Sequence, residues 1–252
     1  MCLVAFALDT HPRYALAIAA NRDEFHARAA EHAHWWTEGW FAGRDLEAGG
    51  AWFGVRRDGR FALVTNVREG GRREAAAVSR GELVTGALAA PAVERYAAGL
   101  GTAGGRYNGY NLVTGDARRA LWQSNRHGDP LALTGGIHAL SNAQLDTPWP
   151  KTGRIRAAMA DWSARGTASL DPLFDALADR SMAPDRELPS TGVPLDRERM
   201  LSAPFIVSER YGTRCSTVFV VGRDGEARFV EREFDEAGRP AGEVDERFRV
   251  AP

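Results

Sequence analysis

One of the two cysteines in this chain of 252 residues, Cys2, directly follows the initiator methionine. Removal of that methionine, which a small residue at position 2 permits, would leave Cys2 with a free α-amine. Such an amine has a pKa of about 7.7–8.0, so it can accept a proton near neutral pH without a neighbouring base. Cys2 would then carry a nucleophile and a general base on one residue. The alternative is a structural cysteine buried in an apolar strand, since free cysteine is among the most buried residue types.

Four polar residues, Asn21, Arg22, Asp23 and Glu24, end an apolar run and are predicted to lie beside Cys2. Residues 2–8 and 14–20 are apolar runs separated by turn residues, which predicts a β-hairpin. Position 2 then lies opposite positions 20 to 22, at the Cα separation of antiparallel partners, about 4.5–5.5 Å. In this arrangement Asp23 could orient the α-amine, and Arg22 could lower the pKa of the thiol.

The two faces of this strand end divide the polar residues into pairs. Alternation places Asn21 and Asp23 on one face and Arg22 and Glu24 on the other. At most one pair can therefore face Cys2, and the sequence leaves both possibilities open. A solvated strand end with weak ion pairs is the alternative without a functional role.

Three further apolar strands end in asparagine, at Asn66, Asn111 and Asn142. Asparagine is depleted within strands, and its amide can donate hydrogen bonds to a developing negative charge in an oxyanion hole. The competing interpretation is turn capping, for which asparagine is also suited.

Arg214 ends a loop before an apolar run and could bind an anion or cap that loop. Cys215, which follows it, is interpreted as structural.

An aromatic segment contains His32, His34, Trp35 and Trp36, and further tryptophans follow it. It could line an apolar pocket, with Trp36 in contact with a ligand, or supply axial ligands to haem. The His-x-His pair is a weak metal signal without a third ligand, and we predict no metal site. A core or pocket-wall role is the alternative for these side chains.

The composition excludes several classes of protein. The formal net charge of -1 argues against a nucleic-acid binder, which would show a basic excess. Two cysteines make neither a disulfide framework nor a four-cysteine zinc site. The N-terminus lacks the basic region of a secretory signal, and no apolar run approaches the roughly 20 residues of a membrane span. We therefore predict a soluble, cytoplasmic protein.

The basic residues are almost all arginine, and Lys151 is the one lysine. We interpret this preference for arginine as a base-composition bias without functional content.

Hydrophobic periodicity divides the chain into blocks of strands and pairs of helices, which is typical of an α+β fold. The predicted architecture is a sandwich of two sheets with helices outside, in one domain over residues 1–252. Ser79 and Glu82 have the spacing of a capping box at the start of the first helix. Strands are predicted at 2–8, 14–20, 51–55, 61–67, 110–114, 120–123, 138–141, 216–221 and 228–234. Helices are predicted after residue 82 and at 92–100, 150–164 and 171–180, with an irregular crossing at 183–203.

Eight segments, in order from residue 2 to about residue 221, carry a family resemblance. They are MCLVAFA, AANRDEF, Trp35-Trp36, AGRDLEAGGAWFGV, ALVTNVR, YNLVTGD, ALSNAQLDTPWPK and YGTRCSTV. Together they resemble the NRDE family, also called the transport and Golgi organisation protein 2 family. The resemblance implies a four-layer αββα sandwich of two antiparallel sheets with outer helices. This fold is similar to that of N-terminal-nucleophile hydrolases such as cholylglycine hydrolase and penicillin V acylase.

The resemblance also implies roles for individual residues. The nucleophile of these hydrolases matches Cys2, and their aspartate after the second strand matches Asp23. Their oxyanion-binding asparagines correspond to Asn66 and Asn111.

One position departs from the hydrolase pattern. The arginine that these enzymes place directly before Asn21 is replaced here by Ala20. Arg22, interpreted as lying on the opposite strand face, is no simple replacement.

Two functions are therefore expected. The first is an N-terminal cysteine amidohydrolase or acyl-transfer enzyme that acts on a small non-peptide amide or thioester and requires no cofactor. The alternative is a non-catalytic protein on the same fold that binds and traffics haem, acyl-CoA or another lipid. The oligomeric state is left open. The expected ligand contacts are Asn21, Arg22, Glu24, Trp36, Asn142 and Arg214.

Overall fold

The computed structural model describes residues 2–70, 74 and 77–251, and its strands form two antiparallel sheets. The first sheet has the order β10-β1-β2-β11-β12-β13, and the second runs from β3 to β9 in chain order. The strands are β1 (Cys2–Leu8), β2 (Tyr14–Phe25), β3 (Ala30–Trp35), β4 (Trp40–Asp45), β5 (Phe53–Arg56), β6 (Phe61–Asn66), β7 (Tyr110–Gly115), β8 (Ala120–Ser124), β9 (His127–Leu133), β10 (Gly136–Leu140), β11 (Tyr211–Gly222), β12 (Glu226–Phe234) and β13 (Pro240–Arg249). The helices are α1 (Gly81–Ala89), α2 (Val93–Ala103), α3 (Pro150–Arg165), α4 (Asp171–Leu177) and α5 (Leu195–Leu201).

The two sheets pack face to face through alternate apolar residues. Val4, Phe6 and Leu8 of β1 point into this interior and share one cluster with Phe53 and Phe219. The intervening residues of the same strands point outward and are covered by helices. This alternation follows from the two-residue period of a strand. Inner strands such as β1 and β7 are therefore buried on both faces, whereas β9 and β13 at the sheet edges are largely exposed.

Helices cover the outer face of each sheet. On the first sheet, α3 packs through Ile155, Met159 and Trp162 in one cluster with Leu3 and Ala5 of β1, and Leu173, Phe174 and Leu177 of α4 belong to the same cluster. On the second sheet, α1 buries its four predicted apolar residues against β6 and β7. The layers are helix, sheet, sheet, helix, so the predicted four-layer αββα sandwich is confirmed.

The β1–β2 hairpin has the predicted turn, but β2 is longer than expected. It continues to Phe25, five residues beyond the predicted end. The polar segment from Asn21 to Glu24 therefore lies inside a strand, because β11 provides backbone partners along its whole length. Pairing with a neighbouring strand outweighs the low strand propensity of asparagine and aspartate here.

Other strands and helices also differ from their predicted bounds where pairing with distant strands determines the structure. The aromatic segment forms β3 and the start of β4, and β9 and β13 are further strands that periodicity does not mark. The irregular crossing contains the short helix α5. The capping box is not formed as predicted, since Ser79 Oγ accepts from the Gly81 N–H, at 3.3 Å, instead of that of Glu82. Helix α3 begins and ends close to prediction, with a left-handed Gly166 after it.

Candidate active site

Cys2 begins β1, a central strand of the first sheet, and lies partly buried at one end of the sandwich. Its carbonyl accepts a hydrogen bond from Ser141 Oγ at 3.0 Å, which holds the strand end against β10. Burial has the largest effect and raises the pKa of the Cys2 thiol, and the charge of Asp23 also raises it, while the charge of the N-terminus, the backbone of Asp23 and the charge of Arg22 lower it. Charges of both signs therefore act on the thiol in addition to its burial.

Arg22 is the direct cross-strand partner of Cys2. Its guanidinium carbon lies 4.3 Å from the ring centroid of Trp52, and Nη2 lies 3.7 Å from Asp45 Oδ2. Asp45 is also held by Arg28, whose Nε is 2.6 Å from the same oxygen. The stack and the ion pair hold Arg22 on the face of β2 that points toward the second sheet.

This placement corrects the interpretation of the missing arginine. Ala20 and Arg22 are two residues apart and therefore share a strand face, and Ala20 packs against the interior between the sheets. Arg22 thus lies on the same face as Cys2 and directly opposite it. An arginine at position 20 would lie opposite Val4, two residues further along β1. It lines the cleft beside the thiol.

Asp23 is buried next to Arg22 and is fixed by residues of β11. Its Oδ1 accepts from Thr213 Oγ1 at 2.8 Å, and its backbone carbonyl accepts from the Tyr211 hydroxyl at 2.9 Å. Burial raises the pKa of Asp23, and the charge of Lys151 opposes this effect. Arg22, Asp23 and Glu24 all line the cleft with Cys2, so residues of both predicted pairs border it, and the expectation that only one pair could do so is wrong.

Asn21 is adjacent in sequence but lies outside the cleft. Its amide donates to the carbonyls of Leu177 and Pro204, at 2.8 and 2.9 Å, and its oxygen accepts from Ser216 Oγ at 2.6 Å. With all its polar atoms engaged, Asn21 anchors the end of α4 and the following crossing to the first sheet. It is not placed to contact a ligand in this cleft.

The three strand-end asparagines are in different surroundings. Asn66 lines the cleft. Asn111 lies behind it, where its amide donates to the Ala143 carbonyl at 2.9 Å and to Thr65 Oγ1 at 3.2 Å. Asn142 is buried and donates to the Asn66 carbonyl at 2.8 Å. Of the three, Asn66 is the one placed to reach an oxyanion.

The remaining predicted ligand contacts are also separated. Glu24 lines the cleft and accepts from the Phe25 backbone N–H. Trp36 is buried under the outer helices of the second sheet, where its indole donates to the Ala42 carbonyl at 2.9 Å. Arg214 donates to the His26 carbonyl at 2.9 Å and braces the end of β2 away from the cleft lining.

Three charged or polar residues near the site were not predicted from the sequence. Arg68, just after β6, forms a buried ion pair with Glu198 of α5 and lies over the Trp149 ring. Tyr211 binds the backbone of Asp23 and lines the cleft. Lys151 is 1% exposed in the first turn of α3. Lys151 is the one lysine among 32 basic residues, and this exception in the sequence could have marked it as a candidate.

The cleft that opens at Cys2 has a volume of about 470 Å³. Its lining combines the polar cluster around Cys2 with a wall that includes Trp52, Val64 and Met200. This volume lies in the range of small-molecule sites, which are about 300–1,000 Å³. Its charged residues are of both signs: the arginines are Arg22, Arg28, Arg68, Arg80 and Arg197, and the carboxylates are Asp23, Glu24, Asp45, Glu69 and Glu74.

Comparison with known proteins gives a match over nearly the whole chain. A family model described as "Transport and Golgi organisation 2" matches residues 1–236. The chain belongs to the Transport and Golgi organisation 2 family. A human protein, "Transport and Golgi organization protein 2 homolog", is 33% identical over 256 residues, covering 92% of each chain. The Drosophila melanogaster "Transport and Golgi organization protein 2" is 28% identical over 261 residues.

Solved structures of more distant sequence also match this member of the Transport and Golgi organisation 2 family. A Caenorhabditis elegans N-acylethanolamine-hydrolyzing acid amidase ortholog matches with a TM-score of 0.49 and 10% identity, covering 87% of this chain and 92% of that one. The C2A mutant of a conjugated bile acid hydrolase from Clostridium perfringens matches with a TM-score of 0.48 and 8% identity, covering 99% and 92%. In the described part of this chain, no helix has the length and apolar character needed to cross a membrane.

Proposed function

We propose that this protein is an N-terminal cysteine hydrolase or acyl-transfer enzyme that acts on a small non-peptide amide or thioester. The observation that carries the proposal is that Cys2 lines the cleft, together with its cross-strand partner Arg22 and with Asp23. Removal of Met1 would place an α-amine on the same residue as the thiol.

The proposed reaction has two halves. The α-amine of Cys2 takes the thiol proton while Sγ attacks the acyl carbon, and the amide of Asn66 donates to the resulting oxyanion. The tetrahedral intermediate collapses to a thioester on Cys2, and the leaving amine or thiol takes the proton back from the α-ammonium. Water, or another acceptor in acyl transfer, then attacks the thioester and regenerates the thiol. Asp23 holds the α-amine in position throughout.

A second candidate is a non-catalytic binding or trafficking protein that uses the same cleft. The lining holds five arginines that can pair with an anionic ligand, such as an acyl-CoA or the propionates of haem, and five carboxylates that offset their charge. The described lining residues include no histidine that could act as an axial ligand to haem iron. An acyl-CoA, which needs no ligand to iron, therefore has more support from the described lining than haem coordination.

Hydrolysis of a panel of N-acyl amides and acyl thioesters tests the first candidate. We expect release of the amine or thiol by the wild-type protein, loss of release in Cys2→Ala, and retention in the matched control Cys215→Ala. The control removes the other thiol, which is 4% exposed within β11. Product release by Cys2→Ala at the wild-type rate would rule the enzyme mechanism out. Ligand binding by calorimetry that survives Cys2→Ala, without turnover by either protein, would favour the binding role.

A further inference from the structure

The buried amine of Lys151 has no role in the proposed reaction. Within the described part of the chain, its Nζ is buried and makes no hydrogen bond. Lys151 begins the buried stripe of α3 that continues through Ile155, Met159 and Trp162. This stripe packs on β1, so the amine lies between α3 and the first sheet.

The direction of α3 brings Lys151 to the Cys2 end of β1. At the other end of the helix, the Trp162 ring stacks on His11 in the hairpin turn, with ring centroids 4.2 Å apart. Lys151 precedes Trp162 by eleven residues, or about 16 Å of helix. The strand from its last residue, Leu8, back to Cys2 covers about 20 Å. The helix therefore runs in the same direction as β1 and begins close to the thiol.

The charges that surround Lys151 come from four elements. Asp23 of β2 and Cys2 of β1 favour its protonated form, as does Glu198 of α5, while Arg68 disfavours it. Arg68 and Glu198 are already paired with each other. Of the charges that favour the ammonium form, that of Asp23 has the largest effect. Burial is the largest effect and lowers the pKa of Lys151 to about 8.

We propose that Lys151 is a positioning residue of the active site, whose ammonium group keeps Asp23 ionised and stabilises the thiolate of Cys2. This role rests on the proposed function, because an ionised Asp23 is what orients the α-amine. Together with Arg22, Lys151 supplies the positive charge that Ala20 does not. A structural role is a poor explanation of the side chain, since an apolar residue would fill the same space without burying an amine that lacks a hydrogen bond.

The first test uses the protein with its lysine intact. Growth on lysine labelled with ¹³C at Cε gives one side-chain NMR signal, because Lys151 is the single lysine. We expect this signal to titrate with a midpoint of about 8 and the midpoint to fall in Asp23→Asn. A midpoint at the ordinary value of 10.5, or one that Asp23→Asn leaves unchanged, would overturn the proposal.

The second test measures the effect on Cys2 without any substrate. Alkylation by iodoacetamide is followed by peptide mass spectrometry across a pH series, with Cys215 as internal control. In Lys151→Met we expect alkylation of Cys2 at pH 7.5 to slow by about fivefold or more, with its pH midpoint raised. Lys151→Arg keeps the charge and is expected to recover most of the rate. Arg156→Met removes an exposed cation from the same helix and should leave the rate unchanged.

An unchanged midpoint in folded Lys151→Met contradicts the role assigned to Lys151. Because neither readout needs turnover, the two proposals fail separately. If the protein hydrolyses no substrate but the Lys151 and Cys2 midpoints both shift as expected, the positioning role of Lys151 stands and the enzyme mechanism is contradicted. If the protein hydrolyses its substrate but neither midpoint shifts, the enzyme mechanism stands and the role of Lys151 is contradicted.

Discussion

At the scale of single residues, the site consists of a thiol surrounded by charges that are each held by separate contacts. Arg22 is fixed by Trp52 and Asp45, and Asp23 is fixed by Thr213. Lys151 has no such hydrogen bond in the described residues, and the charge of Asp23 is the largest effect that favours its ammonium form. Charge around Cys2 is therefore controlled by one well-anchored cation, one anchored carboxylate and one desolvated amine.

Asp23→Asn keeps the size of the side chain and can keep its contact with Thr213, but removes the negative charge. We expect the hydrolysis rate to fall by about 100-fold or more, because the amide cannot hold the α-amine as the carboxylate does. The melting temperature at pH 7 should fall, because the buried ammonium group of Lys151 then loses the negative charge that favours it. Steady-state kinetics and thermal unfolding measure the two effects. A rate within a factor of two of wild type would contradict the role of Asp23.

Lys151→Met is expected to make the protein more stable at pH 7. The lysine has an ordinary pKa of 10.5 when unfolded and a pKa of about 8 when folded, so the folded protein disfavours its charged form. The cost is fully present below pH 8 and amounts to on the order of 3 kcal/mol. It disappears between pH 8 and 10.5, so wild-type stability from this group rises with pH in that range. Urea unfolding of both proteins at pH 7 and pH 9.5 measures the difference. A variant less stable than wild type at both values would contradict this account.

The candidate residues that the sequence does identify are those in the hairpin. Cys2, Arg22 and Asp23 are local, since a tight turn and strand alternation determine their positions. Asn111 and Arg214 were expected to contact the substrate or ligand but lie outside the cleft lining, because they form hydrogen bonds with residues of other strands and loops. Lys151 is missed because its proximity to Cys2 depends on the packing of α3 across the sheet, which periodicity does not encode.

At the scale of elements, the second sheet supports the site through a glycine. A Cβ atom on Gly43 of β4 would lie 2.2 Å from the ring of Trp52. The indole therefore occupies the space left by the missing side chain, and Arg22 stacks on it. The contact links β4 of one sheet to β2 of the other, directly beside Cys2. Neither strand alone would orient the guanidinium.

Gly43→Ala is expected to displace Trp52 and with it Arg22. Overpacking of this kind costs about 1–3 kcal/mol of stability, and the pH midpoint of Cys2 alkylation should rise because Arg22 is no longer held near the thiol. Gly99→Ala is a suitable control, because a Cβ at this helical position meets no atom within 4 Å. Denaturant unfolding and alkylation rates measure the two effects. Wild-type values for both in Gly43→Ala would show that this contact does not support the site.

At the scale of the whole molecule, the first sheet combines strands from both ends of the chain. β1 and β2 lie between β10 and β11, so the first 25 residues pair directly with residues from position 136 onward. The chain between them builds the second sheet. The alternation of strand and helix blocks predicts the four layers, but this strand order depends on long-range pairing.

The interleaved strands predict that the protein unfolds as one unit. Removing β1 and β2 would separate β10 from β11 and divide the first sheet. We therefore expect tryptophan fluorescence and far-ultraviolet circular dichroism to give coincident urea transitions. Two separated transitions would contradict a single domain over residues 1–252.

The central claim is that Cys2 is a nucleophile with a free α-amine. Incubation with an electrophilic acyl probe, followed by intact-mass and peptide mass spectrometry, tests it most directly. The account predicts a protein that lacks Met1 and gains one acyl group, located on Cys2, while Cys215 stays unmodified. Retention of Met1 on active protein, or equal labelling of the two cysteines, would contradict it.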